Sequence, residues 1–117
     1  MVKRIVANIH TENIAKAEVF YKTILGLELL MDHGWITTYG TENQKMNVQI
    51  SFASEGGSGT LTPDLSIEVD NFEETLNHIK EAGFAIEYGP VIEPWGVKRF
   101  YTRDPFGKLI NILCHTP

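Results

Sequence analysis

The stretch VANIHTENI at 6–14 has a counterpart 58 positions later, DLSIEVDNF at 64–72. Ile9 falls on Ile67 and Asn13 on Asn71, and each stretch reads as a strand running into a helix. Beyond the helices, Gly26-Leu27 falls on Gly83-Phe84 with one residue of slippage. The offset is about half of the 117 residues, so one duplicated unit accounts for the whole chain. A repeat of this size limits the possible folds more than any short motif does. Identities between the copies are few, so the order of elements carries the comparison.

In the first copy Asn13 is a suitable N-cap, and Ile14, Ala17, Tyr21, Ile24 and Leu25 fall on one helical stripe. Gly26 ends that helix as a C′ residue. In the second copy Asp70 reads as the N-cap with Glu73 completing a capping box, Phe72, Leu76 and Ile79 form the stripe, and Gly83 closes it. Strand-like sequence precedes the helices at 4–10 and 65–69. It follows them at 27–31, 35–39 and 46–53, and at 85–88, 97–103 and 109–115. The glycine-rich SEGGSGTLTP at 54–63 shows no periodicity and reads as a linker. The expected fold is α+β: two tandem βαβββ modules, 1–53 and 64–117, joined by 54–63 into one structural domain. Their concave mixed sheet would enclose a shared cleft.

Strand alternation assigns the faces. Ile5, Ala7 and Ile9, then Leu65, Ile67 and Val69, then Ile110, Ile112 and Cys114 form the sides that helices would cover. The opposite sides carry Val6, Asn8 and His10, then Asp64, Ser66, Glu68 and Asp70, then Leu109, Asn111, Leu113 and His115. A solvated face accounts for most such polar rows. If the sheets curl around a common space, the same rows line a cleft.

Hydrophobic residues make up 43% of the chain and charged ones 21%, as in ordinary globular domains, and no apolar run approaches a membrane span. MVKRIVANIH has no signal-peptide apolar region. The net charge of −5, without a basic block, argues against nucleic acid as a partner. The single cysteine, Cys114, excludes an internal disulfide and fits a reducing compartment. A cytoplasmic protein is the expectation.

Three segments resemble the vicinal oxygen chelate superfamily, the glyoxalase and bleomycin-resistance fold: NIAKAEVFYKTILGLEL (13–29), IEVDNFEETLNHIKEAGF (67–84) and PWGVKRFYTRDPFGKLINIL (94–113). Together they span nearly the whole chain in the family's order. The resemblance implies a trough in which metal-dependent members hold a divalent ion through His, Glu or Gln on the first and last strands of the modules. Motif against motif, those positions fall here on Val6, Asp64 and Asn111. Valine has no lone pair to offer, and an amide with one carboxylate compensates a transition metal poorly. The chemistry of these three positions disfavours a divalent metal without excluding one, no other cofactor is expected, and on this reading Asn111 is an amide because no cation there needs neutralising.

Two classes of function stay open. In the first, the chain resembles the family's antibiotic-sequestering members: a homodimer binding an aromatic or cationic small molecule between Trp35, Tyr39, Trp95 and Tyr101, with His10, Asp64 and Asn111 as polar contacts. Acidic residues of the trough, Asp64, Glu68 and Asp70, would attract a cation. In the second it is an enzyme, a lyase, isomerase or dioxygenase of the same superfamily, with non-standard metal ligands or with Asp64 or Glu68 as general base.

Overall fold

A computed structural model describes residues 4, 6–42 and 49–117. The second half forms a strand, a helix and three further strands. These are β3 (Leu65–Glu68), α1 (Phe72–Glu81), β4 (Ile86–Glu93), β5 (Val97–Arg103) and β6 (Leu109–His115). The strands lie in the order β3-β6-β5-β4, with β3 parallel to β6 and the other neighbours antiparallel. The first half contributes a helical segment and an antiparallel ribbon of β1 (Glu28–Asp32) and β2 (Thr37–Gly40), separate from the larger sheet. The chain is therefore α+β, with a four-stranded mixed sheet and an antiparallel pair.

Two expected strands of the first half differ. Residues 4, 6–10 and 49–53 lie in no ladder, whereas 46–48 fall outside the described residues. A strand is held by hydrogen bonds to a neighbour, and no strand among the described residues pairs with either segment. Phe52 and Ile50, which alternate on one side of the expected 46–53 strand, are 89% and 66% exposed.

The helices follow their apolar stripes. Phe72, Thr75, Leu76 and Ile79 of α1 are buried against Phe100, Ile110 and Ile112 of the sheet. The first helical segment begins as a tight turn over Ile14–Lys16 and widens to i→i+5 geometry over Glu18–Ile24. It buries Ala17, Phe20 and Tyr21, and Phe20 meets Phe84 edge to face. Cys114 packs on the same core. Both helical stops hold: Gly26 and Gly83 take positive φ, and Phe84 N–H returns to Ile79 O as in a Schellman motif.

The starts need correcting. Asn13 makes no side-chain cap. Helix α1 begins after Asn71 rather than Asp70, and the Asn71 side chain turns to Thr75 and Glu74 instead of the backbone. Glu73 closes no capping box; it pairs with Lys98 of β5. A partner across the sheet has won over the local one.

Two distant motifs meet in the core. Tyr21 donates to Asp104 Oδ2 at 2.7 Å, while Asp104 Oδ1 accepts the N–H groups of Phe106 and Lys108 at 2.9 Å each. The carboxylate thus shapes the Asp-Pro-Phe-Gly turn and ties it to the first half. Burial, reinforced by the bond to Asp104 and by the charges of Asp104 and Asp64, pushes the Tyr21 pKa far up, so the hydroxyl stays a donor.

Candidate functional site

Directly paired residues on neighbouring strands share a face, so the register defines the side of the sheet away from α1. Phe100 pairs with Ile112 on the core side. On the other side Tyr101 pairs with Asn111, Arg99 with Leu113, and Asn111 with Ser66 across the parallel pair. This face carries Glu68, Asn111 and Tyr101 of the expected site beside Ser66 and His115, with Trp95 at the turn between β4 and β5.

The acidic residues are already engaged. Asp64 Oδ2 accepts the Leu109 N–H at 2.8 Å, extending the parallel ladder by one bond. Glu68 Oε2 lies 2.9 Å from His115 Nδ1 across the exposed end of the face. Asn111 is 7% exposed; its Nδ2 donates to Ser66 Oγ at 3.1 Å, while its Oδ1 is buried without a partner among the described residues. A buried carbonyl oxygen left unpaired is uncommon and costly.

The aromatic residues do not form one wall. Trp35 is 78% exposed in the turn of the ribbon, and His10 is exposed ahead of the first helical segment. Tyr39 lines a separate open concavity of about 380 Å³ with Ile14, Glu18, Lys22, Leu29 and Asp32. Partial burial, then the charges of Glu18 and Asp32, raise its pKa.

Trp95 and Tyr101 belong to a cluster that the sequence reading missed. Its centre is Arg99, 3% exposed, with its guanidinium carbon about 5 Å from the rings of Trp95 (5.1 Å), Tyr88 (5.4 Å) and Tyr101 (4.9 Å). Glu93, 4% exposed, receives Nε at 2.9 Å and Nη2 at 2.6 Å, along with the hydroxyls of Tyr88 and Ser58. The cage suited to a cation thus holds the protein's own. The available signal was alternation: Arg99 stands two residues from Tyr101 on an expected strand, so the two share a face.

The glycine-rich segment seals this cluster. Gly57 and Thr60 form a one-bridge hairpin around Ser58-Gly59, both with positive φ as a type I′ turn requires. Arg99 Nη1 donates to Gly56 O at 2.9 Å and Nη2 to Gly57 O at 3.3 Å. Tyr101 OH meets Arg99 Nη1 and Thr60 Oγ1, each at 2.9 Å. The segment that read as a linker is bonded to the sheet as a strap.

The residues do not fit a divalent metal. Val6 is exposed outside any strand, Asp64 is bonded to backbone, and Asn111 offers one amide oxygen. Among the described residues no group of three or more His, Cys, Asp or Glu is placed to hold an ion. No described helix is long and apolar enough to cross a membrane.

A family model of the glyoxalase-like domain matches residues 4–115. The chain belongs to the glyoxalase-like domain family. Solved structures share the fold of this family member. TioX from Micromonospora sp. ML1 superposes with a TM-score of 0.66 at 18% identity, covering 98% of each chain. A glyoxalase/bleomycin resistance protein/dioxygenase superfamily member from Sphaerobacter thermophilus gives the same TM-score, 0.66, at 18% identity over 98% of each chain. TnmS3, an antibiotic binding protein from Streptomyces sp. CB03234, gives 0.64 at 21% identity, covering 96% of this chain and all of its own. At such identities the likeness is one of fold. No curated protein matches this glyoxalase-like chain.

Proposed function

We propose that this glyoxalase-like protein binds and sequesters a small aromatic molecule on the polar face of its second-half sheet, without chemistry. One observation carries the reading: the three positions that would hold the family's metal are an exposed valine, a carboxylate bonded to a backbone N–H, and an amide. The Asn111 oxygen, without a partner among the described residues, supports it, because an orphaned acceptor on such a face suits a ligand's N–H or O–H. The antibiotic-binding neighbour lends support through its fold alone. The cationic half of the expectation is weaker, since Asp64 is bonded to the Leu109 N–H and Glu68 lies against His115.

The site belongs to a cytoplasmic homodimer whose halves, 1–53 and 64–117, act as tandem modules around one cleft. Support for the dimer comes from the first half, where Val6, Leu29, Leu30, Trp35, Ile50 and Phe52 are exposed and a two-stranded ribbon is marginal alone. The test uses fluorescence and calorimetry. A planar aromatic should quench Trp95, and zinc, nickel, manganese or iron(II) should leave the melting temperature unchanged, because a tightly bound ion would raise it by linkage. A clear metal-induced rise, or turnover of a carbonyl or thiol adduct abolished by substituting Asp64 or Glu68, would favour the enzyme reading.

A further inference from the structure

The five N–H donors of Arg99 divide into two edges. The Nε/Nη2 edge faces Glu93, and the Nη1/Nη2 edge faces the carbonyl oxygens of Gly56 and Gly57, with Tyr101 OH beside Nη1. Two oxygens set side by side against the two outer nitrogens of a guanidinium reproduce the way a carboxylate binds arginine. We propose that the strap is a gate: its two carbonyls occupy a carboxylate subsite on Arg99, and an aromatic carboxylate displaces them to bind there. The inference rests on the small-molecule reading above and names the ligand's polar handle.

The surroundings fit that ligand class. Trp95 lies against both Arg99 and Gly57 and remains half exposed, so a planar ring reaching the guanidinium has an aromatic face to stack on. Glu93 holds Arg99 in place from behind, leaving the outer edge to the newcomer. The strap is held by groups that can be released without disturbing a ladder of the sheet: the Ser58 and Thr60 hydroxyls and the two carbonyls. Its closed position also requires glycine. A Cβ at Gly56 would overlap Leu61 O, Tyr101 OH and Thr60 Oγ1. Gly56 itself is not in the positive-φ region, so alanine suits its φ, but its Cβ meets Leu61 and Thr60 of the strap as well as Tyr101 of the sheet, so it breaks the closed strap from within and at its seat.

A gate lowers apparent affinity by the fraction of time it is open, so holding it open raises affinity. Calorimetric titration with 2-naphthoate and its uncharged analogue 2-naphthamide tests this on the full chain. Gly56→Ala should bind naphthoate on the order of tenfold tighter than the parent, if the strap is open about a tenth of the time or less. Thr60→Ala, which removes only the hydroxyl contacts, should fall between them. In either background Arg99→Met should erase the preference for naphthoate over naphthamide. Should Gly56→Ala prove unfolded by circular dichroism, Thr60→Ala alone decides, a rise in naphthoate affinity supporting the gate and no rise refuting it. Equal binding of both probes in every variant overturns the carboxylate subsite while leaving the small-molecule reading intact. Absence of binding by either probe in every variant counts against both.

Discussion

The strap over Arg99 and the segments beside the first-half ribbon read oppositely in sequence, and their outcomes are the reverse of what that reading suggests. SEGGSGTLTP has no apolar periodicity, yet its backbone carbonyls are taken up by a guanidinium and a tyrosine of the sheet. The segments flanking the ribbon are rich in alternating apolar residues, yet Ile50 and Phe52 face solvent. Order here follows from available partners rather than from hydrophobicity. A buried charge pair recruits neighbours to satisfy every donor, because an unsatisfied one is expensive. An apolar strand without a ladder beside it has nowhere to go.

The sharpest way to break the contrast is to remove the centre of the sealed region. Arg99→Met leaves Glu93 buried without its cation and should cost about 3–5 kcal/mol, read as a lower urea midpoint. Glu93→Gln added to it should recover a large part of that loss. If the single substitution costs nothing, the strap is not held by Arg99.

A smaller effect is expected where the halves join. Tyr21→Phe strips Asp104 of a buried donor and should cost about 1–3 kcal/mol. Its pH dependence carries a sign. The Tyr21 pKa is raised in the folded state, so the stability it contributes is present below the ordinary tyrosine pKa of about 10 and declines as pH rises above it. Parent stability should therefore fall more steeply than that of Tyr21→Phe in alkaline melts; parallel curves would show that this hydroxyl ionises freely.

Asp64→Ala removes one bond to the Leu109 N–H at an exposed ladder end and should cost about 0.5–1.5 kcal/mol. Abolition of a turnover with folding unchanged would instead make Asp64 a catalytic base. Smallest in stability, and the most informative about the ribbon, is Phe52→Ser. In a monomer the side chain has almost nothing to lose, so the melt should shift within about 0.5 kcal/mol. If a second copy covers the first half, sedimentation at micromolar concentration should show a weakened dimer; an unaltered monomer for both proteins would leave that surface without a partner.

Much of this was legible from residue order. The α1 stripe Phe72, Leu76 and Ile79, the glycine stops, and the strands at 97–103 and 109–115 follow from local periodicity, which the chain carries with it. The polar parity of Ser66, Glu68 and Asn111 was equally visible. Phe20 was not: it was left out of the first stripe, yet it is fully buried in the first helical segment. Nor was the Arg99 cluster, since its partners stand 6 residues away at Glu93 and 42 to 43 residues away in the strap.

What the amino-acid order determined by itself, then, is which short stretches are helical or extended, where they stop, and which side chains share a face, because these depend on neighbours a few residues apart. Tertiary structure alone decided that Asp64 serves a backbone N–H, that the aromatic cage encloses Arg99, and that a glycine-rich linker becomes a strap. Each of those turns on a polar group finding its partner across the fold. A buried donor or acceptor must be satisfied by whatever atom the packing brings within about 3 Å, and no local rule names that atom.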